Sequence, residues 1–143
     1  MSKLIKSTNS LISTLIAQLN LGSLCRLRYI IINNSKITFD IIYLLYKEGV
    51  IRLYILQGTK ILVFFKYFKG CHLFKFKVIS KPSNRVYYSL NKLSLNFSKN
   101  NFSGFFVIST SNGLMTSILV YYINIYQVKY CLRFLYKYEF NKF

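Results

Sequence analysis

An α+β fold in two small subdomains is what this sequence predicts: an N-terminal α-β-α-β-β unit over 1–69 and a mostly β unit over 70–143 that carries a polar, hydroxyl-rich loop. Three observations lead there. The 143 residues suffice for one ordinary domain or two very small ones. Apolar residues recur at helical spacing twice in the first half. Beyond Lys69-Gly70 the pattern changes to a period of two, as in strands with one solvated face.

Taken in order, Leu11, Ile12, Leu15, Ile16 and Leu19 form one helical stripe after Ser10, and Asn20-Leu21-Gly22 reads as its end. Arg26 to Ile32 is apolar and β-branched enough for a strand. Asn33-Asn34-Ser35 then supplies a turn, with Ser35 as N-cap of a second helix that presents Ile37, Ile41, Leu44 and Leu45 on one face. Gly49 sits where such a helix stops. Val50 to Leu56 and Ile61 to Phe68 flank Gln57-Gly58-Thr59-Lys60 as a β-hairpin. In the second half, Phe74-Lys75-Phe76-Lys77-Val78 alternates apolar and basic. Further strands are expected over Val86 to Leu90, Gly104 to Ser109 and Tyr130 to Tyr138, the last leading into a basic-aromatic tail over Leu135 to Phe143.

Charge bounds the function classes. Lys and Arg number 20 against 3 acidic residues, Asp40, Glu48 and Glu139, a formal net charge of +17. That exceeds what solubility requires and calls for a polyanionic partner. The charge is spread, +10 over residues 1–80 and +7 over 81–143, so the anion is expected to touch both halves. With 53% hydrophobic and 18% aromatic residues, the chain is no disordered basic tail. Ile, Lys, Phe, Tyr and Asn supply 70 of the 143 residues and Ala, Gly and Pro only 8, a split that follows AT-rich against GC-rich codons. Part of the aromatic and lysine excess is therefore mutational drift from an AT-rich genome, such as that of an organelle or a parasite, and the mean hydropathy of +0.33 is weak evidence for a membrane.

Three acids and one histidine leave almost nothing for general acid-base or nucleophilic catalysis, so no enzyme is expected. Neither GxGxxG nor GxxxxGK[ST] occurs. Cys25, Cys71 and Cys131 form no close pair, and Cys71-His72 without further ligands reads as a loop beside a strand, not a metal site. No metal, cofactor or small-molecule substrate is implied, and a reducing compartment follows from the cysteine usage. No secretory signal is expected, because Ser13, Gln18 and Asn20 break the first apolar cluster; the Lys3 and Lys6 start resembles a targeting peptide but runs on into the amphipathic helix. Asn100 to Val128 is free of charge. Ser109-Thr110-Ser111-Asn112-Gly113 at its centre is a turn that no lipid-spanning helix tolerates, so a small basic membrane-associated protein is the secondary reading.

Two segments say more than composition. Val78-Ile79-Ser80-Lys81-Pro82-Ser83-Asn84-Arg85-Val86-Tyr87 is similar to an I-S-K-P-G-x-R-x-Y run, and Gly104 to Thr116 to a G-x-x-I-x-S-T-S-x-G-x-M-T run. Together they closely resemble the paired signature of the small-subunit ribosomal protein S-eight family. Upstream, Asn33-Asn34-Ser35-Lys36 resembles that family's loop before helix two, Leu45 to Ile51 its L-x-x-E-G-[YF]-I turn, and Asn20 the end of its first helix. The resemblance spans about residues 9 to 134 in order. Three departures stand out: Ser83 where the family usually has Gly, Asn112 where it often has Lys, and Tyr126-Gln127-Val128-Lys129 where it has G-G-E. The family glutamate that braces the RNA-binding loop has no counterpart, so no role is carried over to that stretch.

The resemblance implies a non-enzymatic constituent of the small ribosomal subunit, in a mitochondrion, that binds a central-domain stem of ribosomal RNA through its minor groove and contacts neighbouring ribosomal proteins. The residue chemistry agrees. A-form RNA exposes 2′-hydroxyls and base edges in a shallow minor groove, which short neutral groups approach more closely than long cations do. The RNA-binding residues expected on this basis are Ser35, Lys36, Ser80, Lys81, Arg85, Tyr87, Ser109, Thr110, Ser111, Asn112, Gly113 and Thr116. Among them Lys36, Lys81 and Arg85 would meet phosphates, and Tyr87 would either stack on a base or pack beneath the loop.

Overall fold

The computed structural model describes residues 2–72, 74–79, 86, 87, 89, 91, 92, 105–110, 112–117 and 119. These fall into two compact units, 2–75 and 76–119. The first unit runs α1 (Ser2–Leu24), β1 (Tyr29–Asn33), α2 (Lys36–Lys47), β2 (Ile51–Gln57) and β3 (Lys60–Phe65), the expected α-β-α-β-β order, followed by the short strands β4 (Tyr67–Phe68) and β5 (Cys71–His72). β3 is central in a three-stranded sheet, antiparallel to β1 and to β2. β1-α2-β2 is therefore a split crossover unit with β3 inserted between its strands.

α1 packs on β1 and α2, and α2 packs on β2. Between helices and sheet lies a core of Ile12, Leu15, Ile16 and Leu19 from α1, Ile41, Ile42, Leu44 and Leu45 from α2, and Ile32, Ile61 and Val63 from the sheet. Tyr54 meets Phe39 and Tyr46 of α2 edge-on, with ring centroids 6.0 and 5.4 Å apart. On the opposite sheet face, Tyr29, Ile31 and Ile55 are exposed.

α2 is delimited as its sequence predicts. Ser35 caps it with a capping box: its hydroxyl accepts from the Thr38 N–H, and the Thr38 hydroxyl accepts from the Ser35 N–H. At the other end Gly49 has φ +76, with Gly49 N–H donating to Tyr46 and Val50 N–H to Leu45. That is the Schellman pattern, which glycine enters without penalty.

α1 differs from expectation at both ends. It starts at Ser2, not after Ser10, and continues past Gly22 to Leu24. Gly22 is an internal contact point: a Cβ there would lie 2.7 Å from Ile30 Cγ2 and 2.8 Å from the Phe65 ring. The missing side chain lets the helix approach the sheet. Leu11, expected on the buried stripe, is 39% exposed. The helix ends instead at Arg26, which takes φ 55, with Arg26 N–H donating to Ser23 and Leu27 N–H to Gly22. An arginine in the left-handed position delays β1 to Tyr29, three residues later than expected.

The Tyr67 hydroxyl secures this junction by donating to the Leu27 carbonyl at 2.5 Å, with the Gly22 carbonyl 3.4 Å away. Burial, and secondarily the nearby Cys25 sulfur, raise the Tyr67 pKa above its ordinary value of 10.0. Above pH 10 the native state therefore holds a proton that the unfolded chain releases, so stability falls as pH rises through that window and is unaffected below it. Tyr67→Phe should cost about 1 kcal/mol at neutral pH. It should also lose part of the alkaline fall, a difference that urea titrations of both proteins at neutral pH and about pH 11 will read.

Four further expectations need correction. Ile61 to Phe68 is not one strand, because the ladder breaks at Lys66. Cys71 and His72 stand in β5, paired with Phe68 and Tyr67, and not in a loop; Lys69 and Gly70 make the turn with φ 50 and 74. Phe74 to Val78 keeps the expected alternation, with Phe76 buried and Lys75 and Lys77 exposed, but forms only isolated bridges at Lys75 and Val78. Val86, Tyr87 and Ser89 lie outside helix and strand. The strand expected over Tyr130 to Tyr138, and the tail after it, fall outside the described residues.

Candidate nucleic-acid interface

In the second unit β6 (Val107–Thr110) and β7 (Gly113–Thr116) form an antiparallel hairpin, pairing Val107 with Thr116, Ile108 with Met115, Ser109 with Leu114 and Thr110 with Gly113. β6 starts three residues after Gly104 and ends one after Ser109, so the hydroxyl-rich run lies partly in the ladder. Phe106, Val107 and Ile108 are buried beneath it. At its base the Phe106 N–H donates to the Ser117 hydroxyl at 3.1 Å, and the Ser117 N–H returns to the Phe106 carbonyl at 2.8 Å. A charge-free stretch that turns back between Thr110 and Gly113 makes a hairpin, and among the described residues no helix is long and apolar enough to cross a membrane.

The tip is held from inside. Thr110, 8% exposed, accepts the Asn112 N–H at 3.2 Å and donates to the Gly113 carbonyl at 2.9 Å. Its hydroxyl closes the turn on itself. Gly113 has φ +102, which side-chain-bearing residues rarely adopt, and nothing lies within 4 Å of where a Cβ would stand. Backbone conformation, not crowding, thus requires the glycine and leaves an open approach. Asn112 and Gly113 are exposed and Ser109 is half-buried. Thr116 is fully buried, and its hydroxyl accepts from the Leu119 N–H at 3.4 Å. So Thr110 and Thr116 support the hairpin while Ser109, Asn112 and Gly113 form its accessible part.

The other expected residues stand elsewhere. Ser35 and Lys36 sit side by side at the start of α2, in the first unit. Tyr87 is 54% exposed. Ser80, Lys81, Arg85 and Ser111 lie outside the described residues. Lys36 is exposed at the first helical position, where a cation opposes the helix dipole, and no acid occupies the first turn to offset it. Helix stability alone does not account for that lysine. Sequence reasoning missed Thr38 and Ser117, whose hydroxyls hold the α2 cap and the hairpin base. An S-x-x-T spacing was the available signal for Thr38, a variant of the usual S-x-x-E box. Among the described residues no group of three or more His, Cys, Asp or Glu could hold a metal.

The pattern of the family described as "Ribosomal protein S8" matches residues 10–120, which includes α1 from residue 10 onward, α2, the sheet and the hairpin. The chain belongs to the ribosomal protein S8 family. Its relatives include the small ribosomal subunit protein uS8m of Acanthamoeba castellanii, 35% identical over 109 residues that cover 75% of this chain and 85% of the relative. The small ribosomal subunit protein uS8 of Buchnera aphidicola from Schizaphis graminum is 41% identical over 86 residues, 57% of this chain and 64% of that protein. That of Neorickettsia sennetsu is 30% identical over 115 residues, with 76% and 86% covered. An S8-family protein of the small ribosomal subunit is what the α+β fold carries here, with Ser109, Thr110, Asn112 and Gly113 of the family's Ser-Thr-Ser-x-Gly run on the β6-β7 hairpin.

Proposed function

We propose that this chain is a non-enzymatic structural constituent of the mitochondrial small ribosomal subunit that binds a central-domain stem of its ribosomal RNA through the minor groove. The hairpin tip carries the reading: small neutral donors and acceptors on a backbone locked by Thr110, with Gly113 leaving room for close approach. Such a surface suits the shallow groove of A-form RNA, where 2′-hydroxyls and base edges are within reach of short side chains. Ser109, Ser111 and Asn112 are the direct readers, and Thr110 and Thr116 position them. Ser80 and Tyr87 are further RNA contacts. Lys36, Lys81 and Arg85 meet phosphates. Similarity to the Acanthamoeba uS8m and the AT-rich codon composition support the mitochondrion as its location. Neighbouring proteins of the small subunit are further partners.

Sedimentation with mitochondrial small subunits, and release by high salt but not by low, is the expected behaviour. With an isolated stem, affinity should fall with salt along a log-log slope of about −0.7 to −0.9 per phosphate neutralised. Lys36→Ala should lower that slope by about one unit and weaken all RNAs alike. A salt-independent affinity would sink the proposal.

A further inference from the structure

Four cations that no motif connects converge in the N-terminal unit. Arg26, Arg28, Arg52 and Lys66, all exposed, line an open cleft of about 510 Å³ whose remaining walls are Phe65 and Tyr67. Each comes from an irregular point of the fold. Arg26 holds the left-handed end of α1, Arg28 leads into β1, and Lys66 is the break between β3 and β4. Arg52 is the extra residue of a β-bulge, since Ile51 pairs with Phe65 and Leu53 with Phe64. Bulges re-aim a side chain out of the ladder's alternation.

The composition of the cleft is not that of the chain. Lysines outnumber arginines 15 to 5, yet three of the five arginines are here, and among the described residues no carboxylate lines the cleft. Guanidinium groups offer planar forks of N–H donors that match a phosphate's oxygens in pairs, which an ammonium does not. Arg26 takes a positive φ with a side chain in place, as Lys69 does in the β4-β5 turn, whereas Gly49, Gly58, Gly70 and Gly113 supply the other described positions of positive φ. A cation near a helix C-terminus complements the dipole, which accounts for Arg26 in part but leaves Arg52 and Lys66 unexplained. Four like charges around one cleft repel one another, and an anion seated among them relieves this.

We propose that this cleft is a second phosphate-binding site that grips the backbone of the ribosomal RNA through its guanidinium forks, making contacts that the hairpin does not. A phosphodiester with its sugar is the occupant the walls suit, since Phe65 and Tyr67 provide aromatic surface for a ribose or base beside the cations. A free nucleotide fits less well, because the cleft has neither a glycine-rich loop nor an acid for a ribose hydroxyl. The inference rests on the RNA-binding function proposed above, and the test separates the two.

Hydroxyl-radical footprinting and salt-titrated binding of the full chain on a transcript of the small-subunit ribosomal RNA, with circular dichroism as the fold control, decide it. Arg28→Gln with Arg52→Gln should weaken binding about tenfold or more and lower the salt slope by about 1.4–1.8. It should erase a set of backbone protections that a hairpin variant retains. Arg28→Lys with Arg52→Lys should keep the slope and still lose those protections, because charge remains while the forks are gone. Unchanged footprints and slope in the Gln variant overturn the cleft but leave the hairpin reading standing. Full protection by the Lys variant overturns the fork geometry. Normal RNA binding by the Gln variant with failed incorporation into subunits also overturns it, assigning the cleft to an acidic protein neighbour. An unaltered chain that binds no RNA removes both proposals together.

Discussion

Leu19→Ala should destabilise the N-terminal unit by about 2–5 kcal/mol. Leu19 is fully buried on the face of α1 that packs against β1 and α2. Truncation removes three carbons from contact and leaves a cavity that a helix braced by Leu15 and Ile16 cannot close. A unit of residues 2–75 has a total stability of about 4–11 kcal/mol by the per-residue norm, so the loss is a large part of the whole. Leu11→Ala, on the same helix but 39% exposed, should cost less than about 1 kcal/mol and serves as the control for helix propensity. Urea unfolding followed by tyrosine signals will read both, since the chain has 13 tyrosines and no tryptophan. Equal effects at the two positions would show that the helix does not dock as described.

The element order was legible because its signals are local. Ser35 as an N-cap, Gly49 as a left-handed stop and Gly58 in a two-residue hairpin loop all act within a few residues of themselves. Features that depend on contacts distant in sequence were not legible. Gly22 looks like a helix stop by composition, and only the arrival of Ile30 and Phe65 shows that it is an internal contact. Thr110 and Ser109 are equivalent in a hydroxyl-rich run. Which of them turns inward follows from strand register, which pairs Thr110 with Gly113 and sets its hydroxyl on the turn. The arginine cleft is the extreme case, because positions 26, 28, 52 and 66 become neighbours only once the sheet order and the bulge at Arg52 are in place. The hairpin as a candidate site was legible in the family resemblance, and its chemistry in the short neutral side chains.

Thr110→Val separates groove reading from charge attraction. Valine keeps the β-branched shape and so the fit of a residue that is only 8% exposed, but it cannot accept the Asn112 N–H or donate to the Gly113 carbonyl. Both backbone groups must then find water, and the tip that carries Ser109 and Asn112 loses the brace that fixes it. Selectivity for the cognate stem over a generic duplex should fall by about 1–3 kcal/mol, or roughly five- to 150-fold. The salt slope should stay at its original value, because no phosphate contact changes. Thr110→Ser restores the hydroxyl without the methyl and should recover most of the selectivity. Lys36→Ala supplies the opposite pattern, a lower slope with selectivity intact. A Thr110→Val protein that is folded by circular dichroism and still discriminates as well as the parent would reduce the β6-β7 tip to an ordinary turn. Recognition would then have to be sought among the cations, with the arginine cleft the first place to look.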